Sequence, residues 1–150
     1  MVYFGEFRSK LDKQGRIVIP SKMREQLKGR NVYLTRGLEE CLFLFSENVW
    51  KSQSEKLKTL PFTKGDPRAF TRLFFSGAYK TKIDKQGRLN IPSNLVIYAG
   101  IKNSVVIIGV GTRIEIWDEK KWEEYYKKFL SLSLIHISEP TRLGMISYAV

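Results

Sequence analysis

The chain has 150 residues, enough for one compact domain or two very small ones, which excludes a large multidomain enzyme. Hydrophobic residues make up 43% and aromatic residues 13%, so there is enough apolar material for a core and the body is expected to fold. Lys and Arg number 26 against 15 Asp and Glu, a net charge of +11 that points to a polyanionic partner such as nucleic acid without naming it.

Taken in chain order, Met1 to Glu6 shows no basic stretch followed by an apolar one, and the strongest apolar run, Val105 to Gly111, is shorter than a bilayer requires. A cytoplasmic protein with no membrane partner is therefore expected. Phe7 to Leu11 and Arg16 to Ile19 are short runs of strand-forming residues. The polar, glycine-containing turn between them predicts a β-hairpin, with Gly15 at positive φ. Pro20 ends the second strand, and Ser21 is expected to cap a short helix over Lys22 to Leu27 that stops at Gly29. Strands follow at Val32 to Thr35 and Leu42 to Phe45, the latter after a glycine-rich turn. The lone cysteine, Cys41, excludes an internal disulfide and reads as a small buried hydrophobe.

This pattern then recurs. Residues Lys10 to Ser21, KLDKQGRIVIPS, reappear as Lys82 to Ser93, KIDKQGRLNIPS, with nine of twelve identical at an offset of 72. Gly5 and Phe7 fall on Gly77 and Tyr79 at that offset, and Leu42, Leu44, Phe45 and Trp50 fall on Ile114, Ile116, Trp117 and Trp122. Each copy reads β-turn-β-α-β-β, with Gly87, Pro92, Ser93 and Gly100 repeating the turn, strand-end, cap and stop of the first. The second copy's helix is expected at Asn94 to Ala99 and its later strands at Val105 to Ile108 and Ile114 to Trp117. A unit of this size buries little surface alone, so the two halves are expected to share a core.

Ser46 and Asp118 are N-cap candidates for helices specific to each copy. After Asp118, Trp122, Tyr125, Tyr126, Phe129 and Leu130 recur at helical spacing and are expected to bury one face. Between the copies Asp66-Pro67 opens another helix, with Phe70, Leu73 and Phe74 on one side and Arg68 and Arg72 four apart. Such aromatic stripes are packing surfaces, against the core or a sister subunit, rather than cofactor sites. The domains are read as repeat 1 over 5–48, linker helices over 49–76, repeat 2 over 77–120, a C-terminal helix over 121–132, and an atypical tail over 133–150. Leu134 to Val150 has no counterpart in the first copy and looks closer to translated adaptor sequence than to protein, so it is set aside from the fold. The only histidine, His136, lies in it and reads as inert.

With one Cys and one His there is no nucleophile paired with histidine, no zinc cluster and no redox dithiol. No phosphate-cradling loop or dinucleotide fingerprint is complete, so neither catalysis nor a cofactor or metal is expected. Asp12 and Asp84 each precede an arginine by four residues and sit beside lysines, which depresses a carboxyl pKa and makes a poor proton donor. Lys13 with Arg16, and Lys85 with Arg88, place two cations at each turn, suited to phosphate or base edges. Two readings stay open on the residues alone: Asp12 and Asp84 pair with Arg16 and Arg88 to hold the turn, or the arginines reach a guanine. Both can hold together.

The two Asp-Lys-Gln-Gly-Arg turns, each followed by an apolar strand, Ile-Pro-Ser and a short helix, resemble the two AbrB-like half-repeats of the bacterial MraZ family, over roughly residues 1–131. The resemblance implies an α+β, mostly β fold in which two pseudo-symmetric SpoVT-AbrB-like repeats form a swapped-hairpin β-barrel with flanking helices. It implies ring-like homo-oligomers in the cytoplasm, associated with the nucleoid. It also implies binding to double-stranded DNA with short direct repeats, repressing the division and cell-wall operon that includes the regulator's own gene. Carried over, the motif arginines are Arg16 and Arg88 and the motif aspartates Asp12 and Asp84, with Gly15 and Gly87 fixing the turns. Lys13 and Lys85 come next as DNA contacts, then Arg8, Lys10, Lys80 and Lys82 on the approaching strands. Arg24 resembles a DNA-facing helix position in related single-repeat regulators, but its counterpart is Val96, so the copies are not expected to contact DNA equally. The rival readings are an RNA-binding or antitoxin-like AbrB-fold protein and, more remotely, an enzyme, such as a methyltransferase modulator or hydrolase partner, for which no catalytic constellation is visible.

Overall fold

A computed structural model describes residues 2–27, 29–59 and 65–135, and side chains over the same range except 65–67 and 133–135. The first copy forms β1 (Glu6–Lys10), β2 (Arg16–Val18), α1 (Ser21–Arg24), β3 (Asn31–Arg36) and β4 (Leu42–Ser46). Two helices follow, α2 (Glu47–Lys58) and α3 (Gly65–Ser76). The second copy repeats the series as β5 (Tyr79–Lys82), β6 (Arg88–Asn90), α4 (Ser93–Ala99), β7 (Ser104–Gly109) and β8 (Ile114–Asp118), and α5 (Glu119–Ile135) ends it.

The strands do not pair as local hairpins. β1 runs antiparallel to β7 of the other copy, β5 runs antiparallel to β3, and β2 pairs with β6. The expected hairpin of Phe7 to Leu11 with Arg16 to Ile19 is thus replaced by exchange between the copies. Locally the turn closes, with the Asp12 N–H donating to the Arg16 carbonyl at 2.9 Å, and the Val18 N–H donates to Ser9 Oγ at 3.2 Å, but no backbone ladder joins β1 to β2 among the described residues. A lone hairpin would leave Ile17 on a two-stranded ribbon with nothing to cover it, whereas exchange buries Ile17 opposite Leu89, at 1% and 0% exposure. The barrel does not close either. The main sheet is open, in the order β1-β7-β8-β4-β3-β5, and the β2-β6 ribbon stands apart from it. Its free edges, β1 and β5, carry Arg8 and Lys10 or Lys80 and Lys82, charges that discourage edge-to-edge pairing.

Both faces of the sheet are covered. Leu42 and Leu44 of β4 point into one core with Val32, Leu34, Val105, Ile107, Ile114 and Ile116, roofed by the ribbon and the short helices. Phe43 and Phe45 point the other way, into an aromatic cluster with Trp117 and Phe74 against which α2 and α5 pack. Both copies contribute to each core, as a unit of this size requires. The copies correspond at an offset of 72 except along β3 and β7, where Val32 and Leu34 match Val105 and Ile107 in the same core. The β7–β8 turn is one residue shorter, with Gly109 opposite Ile114 where Arg36 faces Leu42. The extra residue before β7 restores the face, since a one-residue slip would turn its apolar set over.

Several local expectations change. Ser21 and Ser93 are not caps: Pro20 and Pro92 occupy the N-cap positions without a side-chain bond, and each serine is the first helical residue. α1 ends at Arg24, well before Gly29, whereas α4 runs to Gly100, whose φ is 63°. Ser46 does cap α2, its Oγ accepting from the Val49 N–H, and Asp118 Oδ2 accepts from the Lys121 N–H at the start of α5. On α3, Phe74 is buried and Phe70 half-buried while Leu73 is 44% exposed. On α5, Trp122 and Tyr125 pack against Trp117, but Tyr126 and Leu130 stay half exposed, so the stripe is only partly buried. The helix includes Leu134 and Ile135, the first residues of the segment set aside as a tail; residues 136–150, His136 among them, lie outside the described residues. Cys41 is buried, and burial, with Glu115 nearby, raises its thiol pKa far above the ordinary value.

Candidate nucleic-acid interface

The repeated turn folds the same way twice. Asp12 Oδ1 accepts from the backbone N–H groups of Gln14 and Arg16, both at 2.9 Å, and Oδ2 accepts from Arg16 Nε at 3.0 Å. Arg16 Nη2 then donates to Gln14 Oε1 at 3.1 Å. In the second copy Asp84 accepts from the N–H groups of Gln86 and Arg88 at 2.9 and 2.8 Å and from Arg88 Nε at 3.0 Å, and Arg88 Nη2 reaches Gln86 Oε1 at 3.2 Å. An aspartate bonding to its own backbone two and four residues on is what sets such a turn. Gly15 and Gly87 complete it at φ 80° each, a conformation a side chain resists. In both aspartates the backbone bond from the arginine is the main cause that holds the carboxyl below its ordinary pKa, followed, among the lowering causes, by the guanidinium.

The pairing of aspartate with arginine is made in both turns. The aspartate takes Nε and the glutamine takes Nη2, which leaves Nη1 of Arg16 and Arg88 without a protein partner among the described residues. Gln14 and Gln86 are a part of the clasp that the charge pattern alone does not reveal, although their recurrence in both turns is the available signal.

The two turns converge. In the ribbon Arg16 lies opposite Asn90 and Arg88 opposite Val18, so all four side chains share one face while Ile17 and Leu89 take the other. Two residues along and one strand across puts the Cα atoms of Arg16 and Arg88 roughly 8 Å apart. Each turn is also pinned by the other copy: the Gly15 carbonyl accepts from Ile91 N–H and the Gly87 carbonyl from Ile19 N–H, both at 2.8 Å.

The remaining cations differ in circumstance. Lys10, Lys13, Lys80, Lys82 and Lys85 are exposed and have no carboxylate within ion-pair distance among the described residues. Lys10 and Lys82 lead directly into the turns. Arg8 instead lies among Glu6, Glu119 and Glu123, at 3.4, 3.2 and 3.6 Å, and is largely neutralised. Arg24 reaches across to the second turn, Nη1 donating to the Gln86 carbonyl at 3.1 Å. Among the described residues no group of His, Cys, Asp and Glu could hold a metal, and no helix is long and apolar enough to cross a membrane.

Comparison with known proteins places this sequence in a family. The family model described as "MraZ protein, putative antitoxin-like" matches residues 2–73 and again 74–143, the second match running into the segment set aside as a tail. A protein of Natranaerobius thermophilus named transcriptional regulator MraZ is 49% identical over 85% of this chain and 88% of its own length. One of the same name from Acetivibrio thermocellus is 51% identical over 83% of this chain and 86% of its own. Among solved structures, the solution structure of PHS018 from Pyrococcus horikoshii aligns with 74% of this chain and 94% of its own at 17% identity and a TM-score of 0.35. With two tandem family matches and relatives near half identical, the chain belongs to the MraZ family.

Proposed function

We propose that this protein is a sequence-specific DNA-binding transcriptional regulator, not an enzyme, and that the solvent face of the β2-β6 ribbon is its DNA contact. The observation that carries this is the placement of Arg16 and Arg88 on one face, each oriented by an aspartate and each with Nη1 left without a protein partner among the described residues. A guanidinium held this way is prepared to meet the two acceptors of a guanine, each such contact contributing about 1 to 3 kcal/mol of discrimination. Lys13 and Lys85 at the turn tips and Lys10, Lys80 and Lys82 on the approaching strands supply phosphate contacts. Arg8 takes no part, because three carboxylates hold it. The strand exchange between the repeats supports an AbrB-like swapped arrangement.

The partner DNA carries short direct repeats upstream of the division and cell-wall operon, including the protein's own gene, which it represses from the nucleoid in the cytoplasm. Exposed apolar side chains on the helical layer, Leu73, Phe75, Tyr126 and Leu130, support assembly into a ring-like homo-oligomer. Several modest faces on one ring then engage successive repeats together.

The test is binding to the region upstream of its own gene by fluorescence anisotropy, with structured RNA as competitor. Arg16→Ala and Arg88→Ala are expected to weaken binding by about 5- to 150-fold each without changing subunit number by light scattering. Normal affinity in both variants, or preferential release by the RNA, would overturn the reading.

A further inference from the structure

The two turns are alike, but what stands beside them is not. α1 lies against the second turn and brings Arg24 and Glu25 next to Ile83, Asp84 and Lys85. α4 lies against the first and brings Val96 and Ile97 into an open groove with Lys13, Gln14 and Gly15. At the offset of 72, Val96 stands where Arg24 does and Ile97 where Glu25 does. Ile97 is 78% exposed, more than any other large apolar residue among those described.

A single exposed isoleucine needs no explanation, but one beside a lysine with no carboxylate partner among the described residues invites a specific partner. Asp12 also lines the groove but is committed to Arg16, so Lys13, with no carboxylate partner among the described residues, is the charge left unpaired on the rim. A DNA major groove fits it, offering phosphates at the rim and, at each thymine, a 5-methyl group for apolar contact.

We infer that Ile97, supported by Val96, makes an apolar contact with a thymine methyl beside the first turn, a contact the second turn lacks. The inference rests on the DNA-binding reading above. It makes the two halves of the face unequal readers: the first couples a guanine contact to an adjacent thymine, while the second, its Arg24 committed to the Gln86 carbonyl, does not.

The test compares the duplex upstream of the protein's own gene with the same duplex in which deoxyuridine replaces thymidine, which removes the methyl groups and keeps base pairing. The full chain is expected to lose affinity on this replacement by a factor about fourfold larger than Ile97→Ala does, the effect of one buried methyl-sized group. Glu25→Ala, at the matching position, is expected to respond like the unaltered protein. Equal thymidine-to-deoxyuridine ratios for the unaltered protein and Ile97→Ala would overturn the inference. So would a changed subunit number in Ile97→Ala with that ratio unchanged, which would assign the side chain to a contact between copies. If the unaltered protein binds duplex and Arg16→Ala loses binding while the ratio stays equal, only the Ile97 contact falls. If the unaltered protein binds no duplex even at low salt, the DNA reading falls and takes this contact with it.

Discussion

Replacing Gly87 by alanine probes the link between the copies, because the added methyl would land on a side chain from the other repeat. Gly15 and Gly87 both sit at φ 80°, so an alanine at either carries backbone strain of about 1 to 2 kcal/mol. At Gly15 the new Cβ would meet the Ile91 carbonyl oxygen at 3.3 Å, a tight contact that a few tenths of an ångström relieve. At Gly87 it would fall on the guanidinium of Arg24, with Cζ at 2.7 Å. Arg24 is the flexible end of a long side chain and can swing away, but it then gives up its bond to the Gln86 carbonyl. That bond is exposed, so its loss adds about 1 kcal/mol at most. Gly87→Ala is therefore expected to destabilise by about 2 to 3 kcal/mol and Gly15→Ala by about 1 kcal/mol less. In the Arg24→Ala background the guanidinium is already gone, and Gly87→Ala is expected to carry only the backbone strain, a coupling of about 1 kcal/mol. Urea unfolding at one fixed protein concentration measures all four corners, the concentration being held because association shifts apparent stability. Additivity of Gly87→Ala and Arg24→Ala within about 0.5 kcal/mol would refute the brace.

The same geometry sets three further outcomes. Ile17→Ala and Leu89→Ala, facing each other beneath the ribbon, are each expected to destabilise by about 2 to 5 kcal/mol and to combine non-additively, whereas Val18→Ala on the open face stays within about 0.5 kcal/mol; denaturant midpoints distinguish them. The depressed pKa values of Asp12 and Asp84 mean that their stabilisation is fully present above the ordinary aspartate value of about 3.9 and is lost as pH falls through the lower folded values. Asp12→Asn with Asp84→Asn is expected to flatten that acid limb in a stability profile from pH 7 to pH 2, and an unchanged limb would remove the turn-holding role. Cys41, buried with a raised pKa, is expected to resist a thiol reagent at pH 8 in the folded protein and to react at once in denaturant; prompt labelling of the native state would contradict its burial.

The sequence alone determined whatever rests on short-range chemistry. The duplication, the turn in which Asp12 and Arg16 or Asp84 and Arg88 find each other four residues apart, the positive φ of the two turn glycines, and most strand positions were legible because backbone and side chain meet within one turn. The helix starts at Ser46 and Asp118 were legible for the same reason. Only the tertiary structure decided which strands pair. Nothing local distinguishes β1 meeting β2 from β1 meeting β7, and that choice falls to burial of Ile17, Leu89 and their neighbours across both copies. From that choice come the shared face of Arg16 and Arg88, the reach of Arg24 to the opposite turn and the exposure of Ile97 beside the first, since each depends on residues more than sixty positions apart. Contacts at that separation are selected by the free energy of the whole core, which no window of neighbouring residues contains.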